Sequence, residues 1–200
     1  EDRLVKLLGD VRQRAKDAMT VAADLTVAHD VDQLVSSVLA QWGHLDVLLN
    51  TVGGWWGGSS VADTPVDSWD RVLSLNLRSA FLISRAVLPV MIDSGWGRVV
   101  HVSSKTAVTP RSKEAAYAVA KMGLITLTET IAAETRGTGV TANVIMPSII
   151  DTEDNREMIS KGDPGKWVSP RDIAQMMRFL CSAHASAISG ARIPMYGDVR

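Results

Sequence analysis

One cysteine, Cys181, stands among the 200 residues of this chain. An internal disulfide is therefore excluded, and a free thiol suits a reducing, cytoplasmic setting. An excess of one charge is also missing, because 21 Lys and Arg face 22 Asp and Glu, a formal net charge of −1. A nucleic-acid or anionic-membrane surface needs a clear positive excess, so neither partner is expected. The local basic run Arg12, Arg14, Lys16 reads as a solvated helix face. The four histidines, His29, His44, His101 and His184, lack metal-ligand spacing, so no metal is expected. No apolar run is expected to be long enough to cross a bilayer, and no signal peptide is read. Internal repeats, low-complexity tracts and interdomain linkers are absent too. The first residue is Glu1 instead of Met, which suggests that something has been removed ahead of it.

What is present is a core. With 46% hydrophobic and 22% charged residues, the chain reads as a single globular domain spanning 1–200. Short apolar runs alternate with longer stretches of helical period. A polar helix is expected over 1–17 and a strand over 19–23. Asp30 and Gln33, at capping-box spacing, would open a helix that stops at Gly43. A strand over 45–49 follows, then a glycine-rich loop and a long helix over about 67–91. Next come a strand at 98–102, a helix to about Thr135, and a strand at 140–146. A helix opens at Ser169-Pro170, with proline in its first turn. A last strand covers 191–196, where Pro194 is easiest to place at a sheet edge. Near-continuous β-branched strands separated by helices predict a doubly wound α/β fold, Rossmann-like, with a parallel sheet buried on both faces.

Ligands in such sheets sit beyond the carboxyl ends of the strands. Polar, small and glycine residues gather at those ends: Asp24-Leu25-Thr26, "NTVGGWWGG" at 50–58, Ser103-Ser104, and "PSIIDT" at 147–152. Tyr117 and Lys121, four apart in "EAAYAVAK", project from one helix face. A free phenol has a pKa near ~10 and is a poor acid or base at neutral pH. A nearby cation favours phenolate, so Lys121 is expected to lower the Tyr117 pKa. Such a tyrosine exchanges a proton with an alkoxide or alcohol, and Ser104 is placed to orient the same oxygen. Trp55 and Trp56 read equally as cleft lining, loop anchors or interface contacts.

Taken in order, these motifs resemble the short-chain dehydrogenase/reductase family across nearly the whole chain. Tyr117-Ala-Val-Ala-Lys121 looks like its Tyr-x-x-x-Lys, and Ser104, thirteen residues earlier, falls on its catalytic serine. Asn76 matches the asparagine that completes the tetrad. Asn50-Thr51-Val52-Gly53 is similar to Asn-Asn-Ala-Gly, with Thr51 and Val52 as departures. "PSIIDT" is similar to the Pro-Gly segment, with Ser148 in place of glycine. The resemblance implies an oxidoreductase moving hydride between NAD or NADP and a carbonyl/alcohol substrate. Tyr117 would be the general acid/base, Lys121 would tune it and bind the nicotinamide ribose, Ser104 would polarise the carbonyl, and Asn76 would hold a relay water. Cofactor contacts would come from Asp24 and Leu25 near the adenine, and from Asn50, Val52, Gly53, Tyr117, Lys121, Pro147, Ser148, Ile150 and Thr152. A homodimer or homotetramer through the helices at 67–91 and 114–135 is implied as well. "VGGWWGG" also resembles the dihydropteridine reductase branch.

The family opens with a strand, a glycine-rich pyrophosphate turn, a helix and a second strand, and none of these is present in the given sequence. The fold is therefore expected without its first two strands, and with it goes the residue that selects NAD or NADP. Either the sequence is a piece of a longer enzyme, truncated at its amino end, or it is a catalytically silent, cofactor-free homologue that acts by association. The strand at 45–49 would then present a bare edge, or pair directly with 19–23.

Overall fold

The computed structural model describes residues 8–9, 11–13, 15, 17–159 and 162–198. Four parallel strands form one sheet in the order β1-β2-β3-β4: β1 (Val47–Asn50), β2 (Gly97–Val102), β3 (Val140–Pro147) and β4 (Arg192–Met195). The helices around it, among the described residues from 28 on, are α1 (Ala28–Trp42), α2 (Val66–Ser94), α3 (Lys105–Val108), α4 (Ala115–Glu134), α5 (Glu153–Met158) and α6 (Pro170–Leu180). Neighbouring residues of β2 serve opposite faces, as the two-residue period requires. Val99 joins Val35, Leu82, Val87 and Ile131 under α1, α2 and α4, while Val100 joins Ile173, Met177 and Leu180 under α6. Every residue of β3 is buried, as expected of a central parallel strand. Pro194 does lie on the edge strand β4, where its missing N–H costs no ladder bond.

Three expectations are corrected. Residues 19–23 form no strand. An extended segment becomes a strand only where a neighbouring backbone meets its N–H and C=O groups. Here, among the described residues, β1 pairs with β2 alone, and Leu49 is left 45% exposed. Second, α1 starts at Ala28, ahead of Asp30, and Val27 caps it without a side-chain bond. Asp30 instead accepts a hydrogen bond from the Asp24 backbone at 3.0 Å, which fixes the turn before the helix. The stop at Gly43 holds, with a left-handed φ of 74°. Third, α2 is long and apolar enough to span a membrane, with a mean hydropathy of 1.4 over an 18-residue stretch. It is nonetheless a core helix, since Leu82, Ile83, Val87 and Met91 pack inside the protein. Of the helix expected over 1–17, residues 1–7, 10, 14 and 16 lie outside the described ones; 8–9 and 11–12 are helical.

The interior of β2 carries His101, fully buried between two hydroxyls. Its Nδ1 lies 2.9 Å from Thr128 Oγ1 and its Nε2 3.1 Å from Ser84 Oγ. Burial, helped by the charge of Lys121, pulls its pKa down to about 4. The unfolded chain holds an ordinary imidazole near 6.5, so it takes up a proton first as pH falls. Stability present above pH 6.5 is thus lost as pH drops toward 4. Between pH 7 and 5 the loss is expected to be about 2 kcal/mol, read from urea unfolding. Both hydroxyls already donate to helix carbonyls, Ser84 to Ala80 and Thr128 to Leu124, so His101→Met strands no donor. That variant should lose this part of the pH dependence; an unchanged slope would exonerate His101.

Candidate active site

The carboxyl ends of β1, β2 and β3 converge with the first turns of α4. Asn50 closes β1, Ser103 and Ser104 follow β2, and Pro147 closes β3. The two serines do different work. Ser103 Oγ donates to the Lys121 carbonyl at 2.7 Å, locking α4 to the strand end. Ser104 caps α3, its Oγ accepting from Thr106 N at 3.1 Å. That leaves the Ser104 O–H for the Tyr117 phenol, near enough for the serine to lower the phenol's pKa by hydrogen bonding.

Lys121 is only 4% exposed. Its Nζ donates to Val102 O at 3.0 Å and lies 5.7 Å from the centre of the Tyr117 ring. Burial brings its pKa down to about 8. The expectation for Tyr117 is overturned in direction. Burial raises the phenol above its ordinary value, the Ser104 bond works against this, and the Glu114 charge adds to the rise. Desolvation of the phenolate outweighs what a neighbouring cation could offer, and that cation is itself deprived of water.

Asn76 sits in a π-helical turn, Ser74–Arg78, set into α2. Such turns widen a helix by one residue and recur at functional sites. The side chain is fully buried. Its Nδ2 donates to Gly54 O and Val72 O, both at 3.0 Å, and its Oδ1 accepts from Gly54 N at 3.1 Å. Both donors are spent on protein, so the amide grips the 50–58 loop. Gly53 lies so close that an added Cβ would come within 2.7 Å of Asn76 Oδ1 and 2.8 Å of Lys121 Nζ. Only glycine lets the loop backbone reach the lysine. The sequence carried no signal for the π turn.

Other expected residues divide. Asn50 is buried, its Oδ1 accepting from Val52 N at 3.2 Å while its Nδ2 has no partner. Asp24 is exposed and accepts from Thr26 N and Oγ1, which holds its carboxyl below the ordinary value. Leu25 packs against the core beside α1 and α2. Ser148 Oγ donates to Tyr196 O at 2.7 Å, and Ile150 bridges to Val168. Thr152 caps α5, and Asp151 is engaged by Arg156 at 2.6 Å. Sequence reasoning missed Glu114, whose Oε2 is buried without a partner beside Tyr117. Its signal was its place, three residues before the tyrosine. Trp55 is 53% exposed, in a loop tied by Gly58 N to Lys113 O at 2.8 Å.

A dinucleotide fits one half of this site. The unpartnered Asn50 amide and two unused Lys121 N–H bonds are donors suited to a nicotinamide riboside. The pyrophosphate half has no counterpart among the described residues, for no glycine-rich turn opens a helix there.

A family model described as enoyl-(acyl carrier protein) reductase matches residues 1–197. A D-β-hydroxybutyrate dehydrogenase of Rhizobium meliloti (strain 1021) is 29% identical over 195 residues, covering 88% of this chain and 75% of the relative. A 3-oxoacyl-[acyl-carrier-protein] reductase of Synechocystis sp. (strain ATCC 27184 / PCC 6803 / Kazusa) is 30% identical over 191 residues, covering 90% and 75%. An NAD+-bound xylitol dehydrogenase superposes with a TM-score of 0.90 at 26% identity, over 98% of this chain and 85% of its own. With its parallel sheet, its Ser104–Tyr117–Lys121 cluster and these relatives, the chain belongs to the short-chain dehydrogenase/reductase family of NAD(P)-dependent oxidoreductases.

Proposed function

We propose that this protein moves hydride between NAD or NADP and the carbon of a carbonyl/alcohol substrate, with Tyr117 as the general acid/base. The observation that carries the reading is the meeting of Tyr117, Ser104 and Lys121 at the carboxyl end of β2. The nicotinamide, when bound, supplies or accepts the hydride. Tyr117, its pKa raised by burial, keeps its proton at neutral pH and is set to donate it to a developing alkoxide. Ser104 orients the same oxygen, and Lys121 offers charge beside the phenolate as it forms. Its spare N–H bonds and the Asn50 amide would hold the riboside, with Val52, Gly53 and the Pro147–Thr152 segment, Ser148 and Ile150 included, along the rim. Asp24 would lie toward the adenine. Asn76 serves this site as a positioning residue, by holding Gly54.

Tyr117→Phe is expected to cut turnover roughly 10²–10⁴-fold while leaving the fold, followed by circular dichroism, intact. Retained turnover would remove Tyr117 from the mechanism. Failure of the unaltered chain to bind either nucleotide would favour the silent, cofactor-free reading.

Lys121 also gives a stability test. Its folded pKa of about 8 lies below the ordinary 10.5, so the fold disfavours the charged form. Below pH 8 the lysine is charged in both states, and burial costs about 3 kcal/mol. The cost fades as pH rises from 8 to 10.5. Lys121→Met should therefore raise the urea midpoint at pH 7 and abolish turnover, its stability gain shrinking by pH 10. A lower midpoint at pH 7 would show that the ammonium stabilises the fold.

Leu75 and Phe81 on α2 and Val119 and Met122 on α4 are exposed apolar residues on the two helices through which the family resemblance implies assembly. We assign them to a homodimer or homotetramer. Phe81→Glu is expected to shift the light-scattering mass toward the monomer; a wild-type chain already monomeric at micromolar concentration would refute the assignment.

A further inference from the structure

A cavity of about 490 Å³ opens at the other end of the sheet, between the starts of β2 and β3, the end of α4 and residues 183–189. Its polar lining includes Arg98, Arg136, Thr141 and Ser186, with no Asp or Glu among its lining residues. Arg98 is 2% exposed. Its Nη1 donates to Gly97 O at 2.8 Å and Gly139 O at 3.0 Å, and its guanidinium lies 4.4 Å from the centre of the Trp96 ring. Its Nε, equally buried, has no acceptor. Thr141, register partner of Arg98 across β2 and β3, also buries an unpartnered Oγ1. Neither arginine of the cavity has a carboxylate within ion-pair distance among the described residues.

Buried charges in proteins are paired or hydrogen-bonded, and buried donors find acceptors. The carbonyls and the indole face offset part of the cost of Arg98. They leave its Nε–H and the neighbouring Thr141 hydroxyl unanswered within the wall of one cavity, with Arg136 adding positive charge. A metal cation would be repelled there. A small oxyanion would answer both donors and the charge, through the charge-assisted bonds that guanidinium forms best.

We propose that this cavity binds a small oxyanion, phosphate or carboxylate, held by Arg98 and Thr141 with Arg136 assisting. The site is separate from the Tyr117 cluster, since the strand from Arg98 to Ser104 spans roughly 20 Å at about 3.3 Å per residue. Inorganic phosphate and acetate, titrated separately into the full chain at ionic strength fixed with chloride, test the proposal by calorimetry. Saturable one-to-one binding of either anion is expected, weakened at least tenfold in Thr141→Val and in Arg136→Ala. Phosphate alone would mark a tetrahedral ligand and acetate alone a planar one. Arg98→Met should abolish binding with an unchanged circular dichroism spectrum; if it fails to fold, the other two variants decide. Absence of saturable heat from both anions, or equal binding by Thr141→Val and Arg136→Ala, would overturn the site.

Discussion

An ammonium group held almost out of water is the constraint around which the carboxyl end of this sheet is arranged. Lys121 meets the Val102 carbonyl and the flank of the Tyr117 ring, and no carboxylate among the described residues pairs with it. Its surroundings are fixed accordingly. Ser103 ties its backbone to the strand, Gly53 brings the loop against its Nζ, and Asn76 keeps that loop in place. Its charge also reaches back along β2 and helps keep His101 neutral. A fold tolerates such a desolvated cation where binding or chemistry has use for it.

Strand β2 thereby carries an unusual sequence of environments. Arg98 lies at its amino end, neutral His101 in the middle, and the Lys121 ammonium against its last carbonyl. Both cations hold backbone carbonyls in place of carboxylates. Parallel strands bring their carbonyl and amide ends to opposite edges of a sheet, so each edge gathers its own polar set from neighbouring strands. At the carboxyl edge that set is Ser104, Tyr117 and Lys121. At the amino edge it is a pair of donors without acceptors.

Much of the architecture was legible because buried parallel strands are written as continuous apolar runs, and helix stops such as Gly43 are local signals. The strand expected at 19–23 failed because strand formation depends on a paired neighbour, and these residues form no ladder with β1. The Asp30 cap failed for a related reason: its carboxylate found the Asp24 N–H, a partner six residues away, before its own helix end. For the candidate site, spacing brought Tyr117, Lys121 and Ser104 to notice, and they do meet. It did not separate the tasks of Ser103 and Ser104, nor show that the Asn76 amide would be spent on Gly54 and Val72.

The sequence by itself determined the order of strands and helices, and the presence of a tyrosine and a lysine one turn apart, because periodicity and helical spacing are properties of the local chain. Tertiary structure alone decided the direction of the Tyr117 pKa, the depressed values of Lys121 and His101, the π turn under Asn76, and the union of Arg98 with Thr141 in one cavity. Each of these depends on how much water remains around a group and on which distant residues replace it. Those quantities arise only when segments far apart in the chain pack together.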